Sequence, residues 1–277
     1  MVTGGGSLRF LKMKDSSLVL DKKTYIMGIL NIANDSIEGI EGYSSIERSV
    51  AAALNIEREG ADILHIECDR DATSETLEYM RLLPVIEELE GRLRIPISVN
   101  VNSSYVAKKA LLSGVKIING KAPLSNCFEL MCTAAEFEAA YVITHNDREF
   151  MKQSNTLYYM QLYFQKAIEL ALKCGIDKNS IILNPGFDIN KTLWQNLDLI
   201  NGIETLAEMG FPIMFNLSRM EFLGQITGQE WERRDVPTIA ANSIAISKGV
   251  DFVAVHNVKA HISAVKLCDA AIRGIKE

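Results

Sequence analysis

The feature of this sequence that most restricts its fold is a regular alternation of short apolar strands with amphipathic helices. Eight strands are predicted, at residues 25–32, 62–67, 97–101, 116–119, 141–145, 181–183, 212–217 and 251–255. Before five of them a glycine ends the preceding helical stretch, as in Gly60-Ala61-Asp62 and Gly114-Val115-Lys116. Glycine is the residue that most readily closes a helix in the left-handed conformation. The alternation therefore predicts parallel strand–helix units.

In the stretches between the predicted strands, apolar residues recur at the spacing of an amphipathic helix. The predicted helices span residues 45–59, 75–89, 105–113, 126–137, 157–174, 194–209, 237–248 and 261–275. Eight strands with about as many helices favour a closed (β/α)₈ TIM barrel, an α/β fold, over an open doubly wound sheet. A barrel of this type needs about 250 residues, so the 277 residues are predicted to form one domain, 1–277. Residues 1–23 are predicted to cap its bottom, with a small β-hairpin at 8–23.

Composition excludes several classes of partner. The net charge is −6 and the pI is about 5.4, so no basic face for nucleic acid is expected. No uncharged apolar run of about 18 residues occurs, which predicts no membrane span. The five cysteines match no zinc or disulfide spacing, and the reading favoured is free thiols in a cytoplasmic protein.

Asparagine is concentrated where the predicted strands end, which is where (β/α)₈ barrels carry their reactive groups. An amide offers both donors and an acceptor, so these residues predict a pocket for a flat, neutral heterocycle rather than a metal cluster. For any single asparagine, capping of a turn or a helix remains the alternative. Nearby, His65 is expected to be structural and Glu67 to be a solvated loop carboxylate rather than a general base. The six asparagines are Asn31, Asn100, Asn119, Asn184, Asn216 and Asn257.

Six segments, in order along the chain, resemble the motifs of dihydropteroate synthases in the pterin-binding barrel superfamily. The first, Met27-Gly28-Ile29-Leu30-Asn31, is followed after three intervening residues by Asp35 and Ser36 in the family's pattern. The Lys191-Thr192 pair belongs to one of these motifs and lacks the glycines of a phosphate-binding P-loop. The others are Ile97-Ser98-Val99-Asn100, Ile117-Ile118-Asn119, Asn184-Pro185-Gly186, Ser218-Arg219-Met220 with Phe222-Leu223-Gly224, and Val255-His256-Asn257-Val258.

The resemblance implies a transferase that joins a pterin pyrophosphate to p-aminobenzoate with Mg²⁺, and a pterin or folate-type ligand. It places Asn100, Asn119, Asn184, Ser218 and Met220 at the pterin. A homodimer and a role in folate metabolism are implied in the same way. The residues that it places at the phosphate or another anion are Asn31, Asp35, Arg219 and His256, with Asn31 also a candidate Mg²⁺ ligand.

Several positions depart from the family pattern together. Asn100 and Asn184 stand where the family has carboxylates, Met220 where it has a lysine, and Ala254 where it has a phosphate-binding arginine. Residues 68–73 have no clear counterpart of the family's Ser-Thr-Arg loop. Removing carboxylates alone would strand a buried lysine charge, whereas the lysine is replaced as well. These changes predict a pterin-like pocket whose condensation activity is weak or lost.

Two other functions remain open from the sequence. A methyltransferase acting between a tetrahydropterin and a corrinoid protein partner would need no pyrophosphate site, which would account for Ala254. In a non-catalytic pterin-binding or interaction protein the pocket would be vestigial and the surface would carry the function. Methyl transfer to a corrinoid, or the absence of any pterin affinity, would distinguish these alternatives from a synthase homologue.

Overall fold

The barrel is preceded by an antiparallel hairpin, β1 (Phe10–Met13) with β2 (Ser16–Val19). The computed structural model describes residues 8–32, 45–68, 74–149, 152 and 154–274. Eight parallel strands follow the hairpin: β3 (Tyr25–Ile32), β4 (Ile63–Cys68), β5 (Ile97–Val101), β6 (Ile117–Gly120), β7 (Ala140–Thr144), β8 (Ile181–Asn184), β9 (Met214–Phe215) and β10 (Phe252–Val255).

The strands are hydrogen-bonded in the order β8-β7-β6-β5-β4-β3-β10-β9. A bridge between Leu183 and Ile213 joins the two ends of this order, and the Leu183 N–H donates to the Pro212 carbonyl over 2.8 Å. The sheet therefore closes on itself, and the predicted TIM barrel is confirmed.

Ten helices are found in the part of the chain that the structure describes, and they lie between and after the strands. The positive φ of Gly60, Gly114, Gly175, Gly210 and Gly249 confirms the predicted glycine ends. The helices are α1 (Ile46–Arg58), α2 (Glu75–Leu89), α3 (Ser104–Leu112), α4 (Phe128–Glu136), α5 (Thr156–Lys173), α6 (Leu193–Asn201), α7 (Ile203–Ala207), α8 (Glu221–Thr227), α9 (Asp235–Ser247) and α10 (Val258–Arg273). None of them is long and apolar enough to cross a membrane.

Two predicted elements differ from those observed, and a third observed element was not predicted. The strand predicted at 212–217 shrinks to β9 because Pro212 has no N–H to donate and the Ile213 N–H goes to the Asp251 carboxylate over 3.0 Å. The helix predicted at 194–209 breaks at Gly202, where a Cβ would collide with the side chain of Leu157. The short helix α8 was not predicted.

The hairpin closes the bottom of the barrel, as predicted. Leu11, Met13 and Leu20 are buried in one apolar cluster with barrel-interior residues such as Met27 and Phe252. A second, larger apolar cluster lies between the strands and the surrounding helices. Since the bottom is filled with apolar side chains, the polar end of the barrel is the one formed by the carboxyl ends of the strands.

Candidate functional site

A cavity of about 250 Å³ lies at the carboxyl ends of the strands. Two larger depressions, of about 560 and 450 Å³, lie between α1 and α2 and beside the start of β3. Of these three, the cavity at the strand ends is the one in which buried polar groups converge, and it lies where (β/α)₈ barrels place their active sites. It is lined by Glu67, Cys68, Glu78, Asn100, Asn102, Asn119, Lys121, Thr144, Asn184, Gly186, Phe187, Asp188, Ile189, Asn216 and Met220.

Strand register brings four polar residues to one level of the barrel. Asn31 pairs with Glu67, Glu67 with Asn100, and Asn100 with Asn119. One position per strand on β3, β4, β5 and β6 thus contributes to the same rim. The regular parallel ladder sets this alignment, because a shift of one residue would turn each side chain to the other face of the sheet.

Thr144 connects two of the asparagines that the sequence places at the pterin. Its hydroxyl donates to Asn119 Oδ1 over 2.8 Å and accepts from Asn184 Nδ2 over 3.3 Å. Asn184 Oδ1 accepts the Gly186 N–H over 3.0 Å. All three side chains are buried, so these bonds fix the amide edges that face the cavity.

Gly186 allows the chain to turn sharply at the end of β8. Its φ is +67°, and a Cβ there would collide with the carbonyl oxygen of His145. Asp188, two residues on, also has a positive φ of 59° and accepts the Glu221 N–H over 2.6 Å. Strained backbone of this kind is common where a loop must present groups to a ligand.

Lys121 follows β6 and brings a positive charge into the cavity wall. The Asn100 amide is oriented so that its oxygen accepts from Lys121 Nζ and its nitrogen donates to the Asn119 carbonyl over 3.3 Å. The Lys121 carbonyl accepts from Asn146 Nδ2 over 2.8 Å, and Asn146 Oδ1 accepts from Asn190 Nδ2 over 2.9 Å. The sequence pattern does not identify Lys121 as a site residue, because Lys121 lies beyond the last residue of its strand.

Glu67 is a largely buried carboxylate, with 18% of its side chain exposed. Its Oε1 lies 3.1 Å from His65 Nε2 and accepts from Asn216 Nδ2 over 3.0 Å. His65 Nδ1 lies 3.0 Å from Ser98 Oγ, which fits an Nε2–H tautomer that donates to the carboxylate. Burial would raise the pKa of Glu67, but the Lys121 ammonium and His65 hold it well below the ordinary value. His65 is structural as predicted, whereas the prediction of a solvated Glu67 is wrong.

His256 and Asn31 form a second polar group beside the cavity. His256 Nδ1 lies 2.9 Å from Ser218 Oγ, and Nε2 lies 3.1 Å from Asn31 Nδ2. Burial lowers the pKa of His256 to about 4, although the Glu67 carboxylate opposes the shift. A neutral ring with Nδ1–H donating to Ser218 and Nε2 accepting from Asn31 satisfies both contacts.

Arg219 lies next to this group and is paired with Asp235. Its Nε and Nη2 donate to the two carboxylate oxygens over 2.6 and 3.0 Å. The guanidinium carbon lies 4.4 Å from the centre of the Trp231 ring. Asn257 Nδ2 donates to Asp235 over 2.8 Å, and Asn257 Oδ1 caps α10 at Ala260. Asn257 is therefore a capping residue, the alternative stated for any single asparagine.

The predicted site residues thus fall into two sets. Asn100, Asn119, Asn184 and Met220 line one cavity. Asn31, Ser218 and His256 form an adjacent hydrogen-bonded group, and the Trp231 ring connects Arg219 to His256. Asp35 lies outside the described residues, as do residues 69–73. Their roles toward a ligand stay predictions. Ala254 is fully buried among the apolar side chains inside the barrel and offers nothing to an anion.

Lys191 and His145 form a buried pair behind the cavity wall. Lys191 Nζ lies 3.0 Å from His145 Nδ1 and donates to the carbonyls of Gly186 and Ile189 over 2.6 and 2.9 Å. Burial lowers the pKa of Lys191 to about 7 and that of His145 to about 2. Gly186 and Ile189 line the cavity, so this pair supports the loop that forms one wall.

The described residues do not fit a Mg²⁺ site well. In the ranges that the structure covers, no three His, Cys, Asp or Glu side chains are grouped as metal ligands. Mg²⁺ prefers near-octahedral oxygen ligands, usually with one or two carboxylates. Asn31 supplies a single amide oxygen, and its nitrogen is held by His256. Mg²⁺ binding at this site therefore stays a prediction.

A (β/α)₈ barrel with an apolar plug at one end and a cavity of amide and charged groups at the other is a small-molecule-binding barrel of the enzyme type. The model of the family "Pterin binding enzyme" matches residues 27–256. The chain belongs to this family, which confirms the resemblance inferred from the six motifs.

Individual relatives agree with this assignment. Dihydropteroate synthase of Bacillus subtilis (strain 168) is 33% identical over 264 residues, or 94% of this chain and 92% of the relative. The structure of a Coxiella burnetii dihydropteroate synthase in complex with pteroic acid is 26% identical, with a TM-score of 0.86 over 97% of this chain and 100% of that one. The Thermus thermophilus enzyme in complex with 6HMPPP is 29% identical, with a TM-score of 0.84 over 95% and 99%. The methyltransferase and non-catalytic alternatives draw no support from these comparisons.

Proposed function

We propose that the cavity binds a pterin-type heterocycle and that the chain condenses pterin pyrophosphate with p-aminobenzoate slowly or not at all. The observation that carries the binding proposal is the convergence of Asn100, Asn119 and Asn184 on one cavity. A pterin has an edge of alternating N–H, ring nitrogen and carbonyl groups, and buried amides can pair with such an edge.

The amide at Asn184 limits how tightly that edge is held. Its oxygen already accepts from the Gly186 N–H, and one of its two N–H groups donates to Thr144. A carboxylate at this position could accept from Gly186 and from two ligand N–H groups, and charge-assisted bonds are about twice as strong as neutral ones. We therefore expect weaker or differently oriented pterin binding than a carboxylate would give.

The residues at these positions also provide little positive charge to stabilise a leaving pyrophosphate. Ala254 is buried in the barrel interior, and Arg219 already forms a two-point ion pair with Asp235. His256 has its pKa lowered to about 4 and so carries no charge at pH 7. Stabilising the charge that develops on the leaving group is usually a large part of catalysis, which supports a slow condensation.

The test measures binding and turnover separately. Calorimetric titration of the purified chain with 6-hydroxymethylpterin should show saturable binding. An assay with the pterin pyrophosphate, p-aminobenzoate and Mg²⁺ should give little or no product, while the Bacillus subtilis synthase serves as the positive control. Turnover near 1 s⁻¹, which is ordinary for enzymes, would contradict the weak-activity part. Failure to bind any pterin would contradict the binding part.

A further inference from the structure

We infer that Glu67 and Lys121 together recognise a lactam edge of the ligand, with Glu67 accepting its N–H and Lys121 donating to the adjacent ring carbonyl. This inference rests on the proposed function and specifies the ligand chemistry of the same site. Neither residue was expected from the sequence to contact a ligand.

Both charges face the cavity without touching each other. Glu67 lies on β4 and Lys121 follows β6, and Asn100 of β5 lies between them in register with Glu67. Among the residues covered by the structure, the two form no ion pair within 4.0 Å. Both side chains are partly desolvated, and a desolvated charge is costly unless hydrogen-bonding partners compensate for it. A ligand that bridges them would satisfy both.

Each group keeps hydrogen-bonding capacity for a ligand. Glu67 Oε1 accepts from Asn216 and lies against His65, while no donor in the described ranges reaches Oε2. The Lys121 ammonium has three N–H groups, of which one is directed at the Asn100 oxygen. A free carboxylate oxygen and a free ammonium N–H complement an N–H next to a C=O, which is the lactam of an oxo-pterin.

The surrounding residues hold both groups in place. His65 and Ser98 form a buried chain behind Glu67, and Asn146 with Asn190 ties down the backbone at Lys121. Ordering the charged groups before binding avoids part of the entropic cost of association. The competing explanation is that Lys121 only neutralises the buried carboxylates around it.

The experiment compares two probes that differ at the lactam. Pterin carries the ring N–H and carbonyl, whereas 2,4-diaminopteridine has an amino group in place of the carbonyl and lacks the N–H. Calorimetric titration at pH 7 is expected to show that the wild-type chain prefers pterin by about tenfold or more. Lys121→Met and Glu67→Gln should each remove most of this preference, while Lys121→Arg should retain part of it.

Lys173→Met is the matched control, because Lys173 is exposed near the end of α5, away from the cavity. It should keep the wild-type preference, and thermal unfolding of all variants checks that they fold. If pterin binds and Lys121→Met keeps the full preference, the inference is overturned while the proposed function stands. If the wild-type chain binds neither probe, the proposed function fails and the inference fails with it.

Discussion

At the scale of single residues, the site keeps charged groups, although the positions that the family resemblance assigns to the pterin are uncharged. Asn100, Asn184 and Met220 leave the predicted pterin positions uncharged. Yet Glu67 and Lys121 place a carboxylate and an ammonium on the same cavity wall. Because buried charges are costly unless compensated, the Lys121 ammonium helps to keep the Glu67 carboxylate ionised. The pocket is therefore lined by charged groups of both signs as well as by amides.

Gly186 provides a residue-scale prediction. Gly186→Ala should lower the free energy of unfolding by about 3 kcal/mol, because the variant combines a left-handed backbone with a steric collision against the His145 carbonyl. Gly114→Ala is the control, since Gly114 has a φ of +92° but open space around its Cβ position. Gly114→Ala should lower the free energy of unfolding by about 1–2 kcal/mol. Urea unfolding measures both, and equal losses would show that the close approach at Gly186 is unimportant.

Some residues of the site could be predicted from the sequence and others could not. Asn100, Asn119 and Asn184 end apolar strands, and strand ends in a (β/α)₈ barrel face one mouth, so their convergence follows from the sequence pattern. Lys121 lies just beyond such an end, and no local pattern says whether its long side chain turns inward or outward. Thr144 ends β7, but its bridging role depends on two partners distant in the sequence. These orientations come from tertiary packing.

At the scale of elements, periodicity predicted every barrel strand and most helices. The exceptions have local physical causes. β9 is two residues long because Pro212 cannot pair and Asp251 takes the next N–H. Gly202 divides α6 from α7 where Leu157 packs. The seven residues of α8 are too few for a helical repeat to be recognised.

The N-terminal hairpin should contribute measurably to the stability of the barrel. Leu11 is fully buried in the cluster that fills the barrel bottom. Leu11→Ala should therefore lower the free energy of unfolding by about 2–5 kcal/mol, through lost burial and the cavity left behind. The comparison is Leu172→Ala on α5, where 45% of the residue is exposed and a change within about 0.5 kcal/mol is expected. Similar midpoints for the two variants in guanidinium unfolding would mean that the hairpin adds little to the fold.

At the scale of the whole molecule, the apolar bottom of the barrel stabilises the fold. The end formed by the carboxyl ends of the strands carries buried polar groups at an energetic cost. Lys191 is 7% exposed and lies behind the cavity wall. Its pKa is lowered to about 7, chiefly by burial, although Asp188 and Asp147 favour the charged form. The unfolded chain gives the same lysine an ordinary pKa of 10.5. Between these values the unfolded state binds more protons, so the free energy of unfolding rises with pH.

The stability of the whole molecule should therefore depend on the protonation of Lys191. Between pH 7.5 and 8.5 the free energy of unfolding should rise by about 1 kcal/mol per pH unit, the amount expected when one proton is released on folding. The window lies above the lowered pKa values of His145 and His256, so histidines contribute little to the slope. Lys191→Met should flatten it, whatever the variant's absolute stability, and Lys173→Met should preserve it. Urea unfolding at several pH values measures the slope, and an unchanged slope in Lys191→Met would show that Lys191 is protonated in the folded chain across this range.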